Sequence, residues 1–207
     1  MHLSIRYRMV VRMKQPAKSS SKRRKPAPGQ RIGPGDWVRA GLALLAREGI
    51  DAVRVEPLAE HLEVTKGSFY WHFKDRAALH AAILSSWRQV ATGEIIKLVE
   101  AEKPDARLRL SHLIELATSD GKAARLETAI RAWAQHDPAA GKVLASVDAE
   151  RLEYVASLLR GIGMEDSVAV TRATILYLVL IGNFFAASKS ELRAGPELWR
   201  EITKLIT

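Results

Sequence analysis

An all-α fold is what this sequence predicts, with an N-terminal three-helix helix-turn-helix head followed by a six-helix body. Three observations carry that expectation. Apolar residues recur at the three-and-four spacing of helices, with no strand-like alternation. Proline and glycine stand where helices start and stop. Three short helical segments crowd between Asp36 and Phe73, the last two joined by a very short turn.

Composition narrows the class. With 47% hydrophobic and 27% charged residues among 207, the chain has the balance of a soluble globular protein. It has no cysteine, which removes a disulfide framework, a thiolate zinc site and a cysteine nucleophile, and points to a reducing cytoplasm. Of its 32 Lys and Arg, ten lie in residues 1–34, where there is no acid, so the remaining 22 face 23 acids. A polybasic arm on a near-neutral body points to a polyanion as the arm's partner. The arm's longest apolar run is Met9-Val10-Val11, short of the roughly 7 to 15 residues of an export segment. The uncharged stretch Ala173–Ser188 is likewise short of the roughly 20 residues of a spanning helix, so no membrane partner is expected.

The elements follow in order. Residues 16–35 are rich in Pro, Ser, Gly, Lys and Arg and cannot bury enough surface to order themselves, so residues 1–34 are expected to be a disordered basic arm. Asp36 is expected to cap a helix carrying Trp37, Ala40, Leu44 and Leu45 inward, stopped by Gly49. A second helix runs from about Val55 to Leu62, with Pro57 tolerable in its first turn. Thr65 is a good N-cap for a third, Gly67 to Phe73, which places Phe69 and Phe73 one turn apart on one side. The head is therefore expected over 35–80 and the body over 81–207.

In the body, Asp75 caps a long helix to about Lys103, ended by Pro104; helices Ala106–Thr118 and Arg125–His136 come next. Asp137-Pro138 supplies an N-cap and a first-turn proline for a helix through Arg160, ended by Gly161-Ile162-Gly163. Helices Glu165–Ser188 and Pro196–Ile206 complete it.

The run Leu58-Ala59-Glu60-His61-Leu62-Glu63-Val64-Thr65-Lys66-Gly67-Ser68-Phe69-Tyr70-Trp71-His72-Phe73-Lys74-Asp75-Arg76, followed by Ala78-Leu79, resembles the DNA-binding head of the TetR family of bacterial transcriptional regulators. Arg54 departs from the Ser or Thr that usually caps the family's second helix, and Pro57 is a second departure. The resemblance implies a homodimeric, ligand-responsive repressor, with double-stranded DNA bearing a palindromic operator and a small-molecule effector as partners. It also implies two recognition helices entering successive major grooves about 34 to 36 Å apart. An effector would then swing the Asp75–Lys103 helix and spoil that spacing.

Thr65, Lys66, Ser68, Tyr70, Trp71, His72, Lys74 and Arg76 are the DNA-contact candidates. A helix N-terminus fits the major groove and presents side chains to base edges, while free N–H groups there favour phosphate. The family match assigns Tyr70 a backbone phosphate, and Lys74 and Arg76 lie where cations grip the strand. Trp71 either stacks on sugar or packs against the next helix, and His72 either donates to phosphate or caps the turn.

Trp133, His136, Tyr154, Tyr177 and Asn183 join apolar area to a polar tip, the make-up of a small-molecule pocket, although core packing accounts for any one of them. Leu176, Leu180 and Phe184, with Leu198, Ile202 and Leu205, are expected at the dimer interface, because the first of these helices is apolar all round. Neither metal nor cofactor is expected: the six histidines form no HxxxH or HExxH spacing, and no GxGxxG, P-loop or GxSxG occurs. The rival readings are an architectural nucleic-acid binder driven by the arm and, further off, a helical enzyme.

Overall fold

Proline and glycine set the frame of the head. The computed structural model describes residues 32–102, 105–119, 121–186 and 194–207. Helix α1 spans Pro34–Glu48, begun by proline at its first position and ended at Gly49, whose φ of 84° suits a residue without Cβ. The expected cap is displaced by one turn: Gly33 is the N-cap, and Asp36 sits inside the helix, its Oδ2 accepting from the Gly33 N–H at 2.8 Å. Pro34, expected in the arm, is thus helical, with Ile32 and Gly33 preceding it outside the helix; residues 1–31 lie outside the described residues.

After a 3₁₀ turn at Ile50–Ala52 come α2, Val55–His61, and α3, Lys66–Tyr70. Neither N-cap uses its side chain: Arg54 and Thr65 stand in extended backbone and accept no capping hydrogen bond. Helix α3 is therefore shorter than its apolar spacing predicts, five residues that include Phe69 but not Phe73. Helix α4, Arg76–Arg88, is capped as expected, the Ala78 N–H donating to Asp75 Oδ1 at 2.7 Å.

The chain divides into two compact units between Trp87 and Arg88, beyond the boundary expected after residue 80. The reason lies in α4, whose Leu79, Ile83 and Leu84 are buried. Helix α1 comes so near that a Cβ on Gly41 would stand 2.5 Å from Ile83 Cδ1.

The second unit opens with a π-helical stretch, Gln89–Gly93, followed by α5, Glu94–Glu102. The helix expected from Asp75 is interrupted there, a feature that periodicity does not reveal, and its expected end at Lys103 and Pro104 lies outside the described residues. Then follow α6, Ala106–Thr118; α7, Gly121–Ala134; α8, Pro138–Gly161; α9, Asp166–Phe185; and α10, Pro196–Ile206. Helix α7 starts one turn earlier than expected. Asp137 caps α8 as predicted, accepting from the Ala139 and Ala140 N–H groups at 2.9 and 3.0 Å. Glu165 caps α9, whose expected end at Ser188 lies outside the described residues.

The body core joins α6, α8, α9 and α10 through Leu110, Ile114, Val155, Leu159, Leu176 and Trp199. No strand occurs among the described residues. One helix, α9, is long and apolar enough to cross a membrane by length and composition, with mean hydropathy 1.7. It also carries Ala169, Ala173, Leu176 and Tyr177 buried on its inner side, and Arg172 Nη1 ties it to the Ile206 carbonyl at 2.9 Å.

Candidate nucleic-acid interface

An aromatic stack sets the direction of α3. Phe69 and Trp37 are wholly buried, their rings edge to face at 5.3 Å, and Phe73 lies beside Phe69 at 5.5 Å. With Phe69 pinned inward, helical periodicity turns Lys66 and Tyr70, four residues apart, to another face. Tyr70 is 63% exposed and Trp71 87%, so the reading of Trp71 as packed against the next helix falls away. The Tyr70 ring rests edge-on against Phe69 at 5.3 Å.

Thr65, Lys66, Lys74 and Arg76 are exposed as well, whereas Ser68 and His72 are half-buried at the margin. The turn that sets α3 against α2 uses Glu63 with φ 56°, a left-handed conformation that L-residues other than Asn and Asp rarely adopt. The Val64 N–H donates back to the Ala59 carbonyl at 2.9 Å and closes that turn.

One participant was missing from the sequence reading. Lys66 Nζ pairs with Glu56 Oε1 on α2 at 2.9 Å. That hydrogen bond and the charges of Lys66 and Arg54 hold the Glu56 carboxyl below its ordinary range. No local motif signals a pair ten residues apart across a turn. Lys74 lies 3.9 Å from Asp75, a looser pairing.

Residues 38–83, which contain this surface, match the model of the bacterial regulatory proteins of the tetR family. The head is thus similar to that of tetR-family regulators. A class G tetracycline repressor from Vibrio anguillarum is 41% identical over 49 residues, 24% of this chain and 23% of the repressor. The match thus spans about a quarter of that relative's length. For the whole fold, a putative transcriptional regulator from Saccharomonospora viridis, solved with choline, is similar with TM-score 0.73 at 16% identity, over 84% of this chain and 94% of that one. A TetR-family regulator from Streptomyces coelicolor is similar with TM-score 0.70 at 16% identity, over 83% and 92%. The all-α architecture is similar to that of these two regulators.

In the body, four of the expected pocket residues each bond a different partner. Trp133 Nε1 donates to Asp137 Oδ2 at 3.0 Å, the Tyr154 hydroxyl to Glu100 at 2.7 Å, and Asn183 Oδ1 accepts from the Ala194 N–H at 2.9 Å. Burial, together with Glu100, raises the Tyr154 pKa. His136 is exposed. The Tyr177 hydroxyl donates to Asp148 at 2.6 Å and accepts from Arg131 at 3.0 Å; burial and Asp148 push its pKa up to about 12.

Tyr177 belongs to a buried network that sequence reading did not foresee. Arg131 binds Asp148 through both terminal nitrogens, at 3.1 and 2.7 Å, and Glu127 through Nε at 3.1 Å. Arg151 binds both Glu127 oxygens, at 2.9 and 3.3 Å. It also reaches the π-helical stretch, donating to Thr92 Oγ1 at 3.0 Å and to the Ala91 carbonyl at 3.2 Å. Burial opposes charge on both arginines, yet the carboxylates outweigh it and their pKa values rise.

Two arginines thus balance two carboxylates. Next to Arg131 a depression of about 430 Å³ is lined by Ala132, Gln135, Leu144, Ile181 and Phe185. Among the expected interface residues, Leu176 is buried in the chain's own core, and Leu180 and Ile202 pack against it. Leu198 and Leu205 are exposed and Phe184 is half-buried; Ile175, Leu178 and Phe185 extend the exposed apolar surface on α9.

Proposed function

We propose that this chain is a sequence-specific transcriptional repressor that binds a palindromic operator as a homodimer in the cytoplasm and is released by a small effector. The observation that carries this reading is the exposed row Thr65, Lys66, Tyr70 and Trp71, held over the Trp37–Phe69 stack. An exposed short helix of this make-up fits the major groove: Lys66 and Thr65 suit base edges, and Tyr70, Lys74 and Arg76 suit phosphates.

A five-residue recognition helix makes few base contacts, so two copies on an inverted repeat are needed for useful selectivity. The apolar residues exposed on α9 and α10, Ile175, Leu178, Phe185, Leu198 and Leu205, are the surface that a second copy would cover. In the head, residues 32–87 carry six Lys or Arg against seven Asp or Glu, whereas residues 1–31 carry ten Lys or Arg and no acid. The arm is therefore the source of sequence-blind attraction to DNA. The depression beside Arg131, of about 430 Å³, lies within the roughly 300 to 1,000 Å³ of small-molecule pockets.

Selection of duplexes from a random library by the full chain tests the reading. An inverted repeat with half-site centres about one helical turn apart is expected, bound by two chains in sedimentation. Recovery of the pool unchanged would favour an architectural binder driven by the arm.

A further inference from the structure

The ion pair between Lys66 and Glu56 sits on the surface just assigned to DNA, and its geometry assigns Glu56 a role. The head's other described ion pairs, Arg39–Asp36, Arg47–Glu48 and Lys74–Asp75, join residues no more than three apart. Lys66–Glu56 alone among them ties α2 to the first residue of α3, at 2.9 Å. Both side chains are more than half exposed, so the pair is accessible to a docking duplex. An exposed pair of this kind adds little to stability, which leaves its position as the property to explain.

We propose that Glu56 is a specificity-determining residue: it positions the Lys66 ammonium to read a guanine edge and withholds that charge from phosphates. This rests on the reading of the head as a DNA-binding module. A lysine ammonium has three N–H donors. With one given to Glu56, two remain for the O6 and N7 acceptors that guanine presents in the major groove, and the ammonium serves carboxylate and base together. To reach a phosphate, Lys66 must swing away and leave Glu56, a negative charge, facing the polyanion. Random sequence is thereby penalised and the matched base is not.

The head's near balance of charge makes this withholding effective, because little other attraction from the head masks it. Arg54, whose charge also acts on Glu56, is the N-cap of α2 and does not replace Lys66 at the start of α3.

The experiment uses the full chain and its Glu56→Gln, Lys66→Ala and doubly substituted forms. Each is put through duplex selection, and then binding to the selected duplex and to a scrambled duplex is titrated over a salt series. Glu56→Gln is expected to flatten preference at the same base position as Lys66→Ala. It should also tighten binding to scrambled DNA by about threefold and steepen its salt slope by about 0.9, one phosphate neutralised. In the Lys66→Ala background, Glu56→Gln should leave that slope unchanged.

Glu56→Gln with preference and slope both unaltered would overturn the proposal, as would equal weakening on both duplexes with a lowered melting temperature. Both results leave the DNA-binding reading standing. If the parent chain selects no sequence, the reading beneath falls too, and this proposal with it.

Discussion

Head and body reach stability by different chemistry. The head's interior is an aromatic and aliphatic stack around Trp37, Phe69 and Phe73, with its ion pairs on the surface. The body has an aliphatic core of its own, but beside it runs a charged network in which Glu127, Arg131, Asp148, Arg151 and Tyr177 satisfy one another. The lesson is about tolerance. An apolar core gives way gradually to truncation, whereas a balanced ionic one is intolerant of losing a single member and indifferent to losing a matched pair.

The largest effect should come from unbalancing the network. Arg151→Met leaves Glu127 with Arg131 as its remaining arginine and is expected to cost about 3 to 5 kcal/mol in urea unfolding. Replacing both partners, Glu127→Leu with Arg151→Met, should recover most of that loss. A double replacement as damaging as the single one would mean that packing, not charge balance, governs the body. In the head, Phe69→Leu keeps an apolar side chain of smaller volume and should cost about 1 to 2 kcal/mol. If it matched Arg151→Met, the contrast between the regions would fail.

These two regions also differ in how far the sequence discloses them. In the head the partners are near in sequence: Lys66, Phe69 and Tyr70 share one short helix, and the turn before them is coded by adjacent residues, so exposed and buried faces are legible from spacing. What escaped there were features without local signal. They are the Glu56–Lys66 pair and the early end of α3; the entry of α1 at Pro34 instead of Asp36 was also missed, although a proline at the first helical position signals it. In the body, helix ends were legible wherever a cap and a proline coincide, as at Asp137-Pro138.

The network was not legible, because Arg151 meets Glu127 and Thr92 across 24 and 59 residues, a juxtaposition made by packing. The same holds for Tyr177, whose tip was assigned to a pocket and is held by Asp148. Leu176 shows the limit from the other side: a helix apolar all round does not say which apolar face its own chain covers.

A smaller effect sharpens the comparison at the head's turn. Glu63 holds φ 56°, a conformation that costs an L-residue about 1 to 2 kcal/mol and glycine nothing. Glycine also loses more freedom on folding, so Glu63→Gly should gain about 1 kcal/mol or less. Glu63→Val should lower the melting temperature, and a variant as stable as the parent would show that the turn relaxes to negative φ.

In the proposed function, Lys66 reads a base and Tyr70 holds the DNA backbone. The most direct measurement is the base preference of the parent, Lys66→Ala and Tyr70→Phe across a panel of single substitutions in the selected duplex. Lys66→Ala should lose about 1 to 3 kcal/mol of discrimination at one position of each half-site. Tyr70→Phe should weaken every duplex by the same factor. Unchanged preference in Lys66→Ala, or a position-specific loss in Tyr70→Phe, would contradict it.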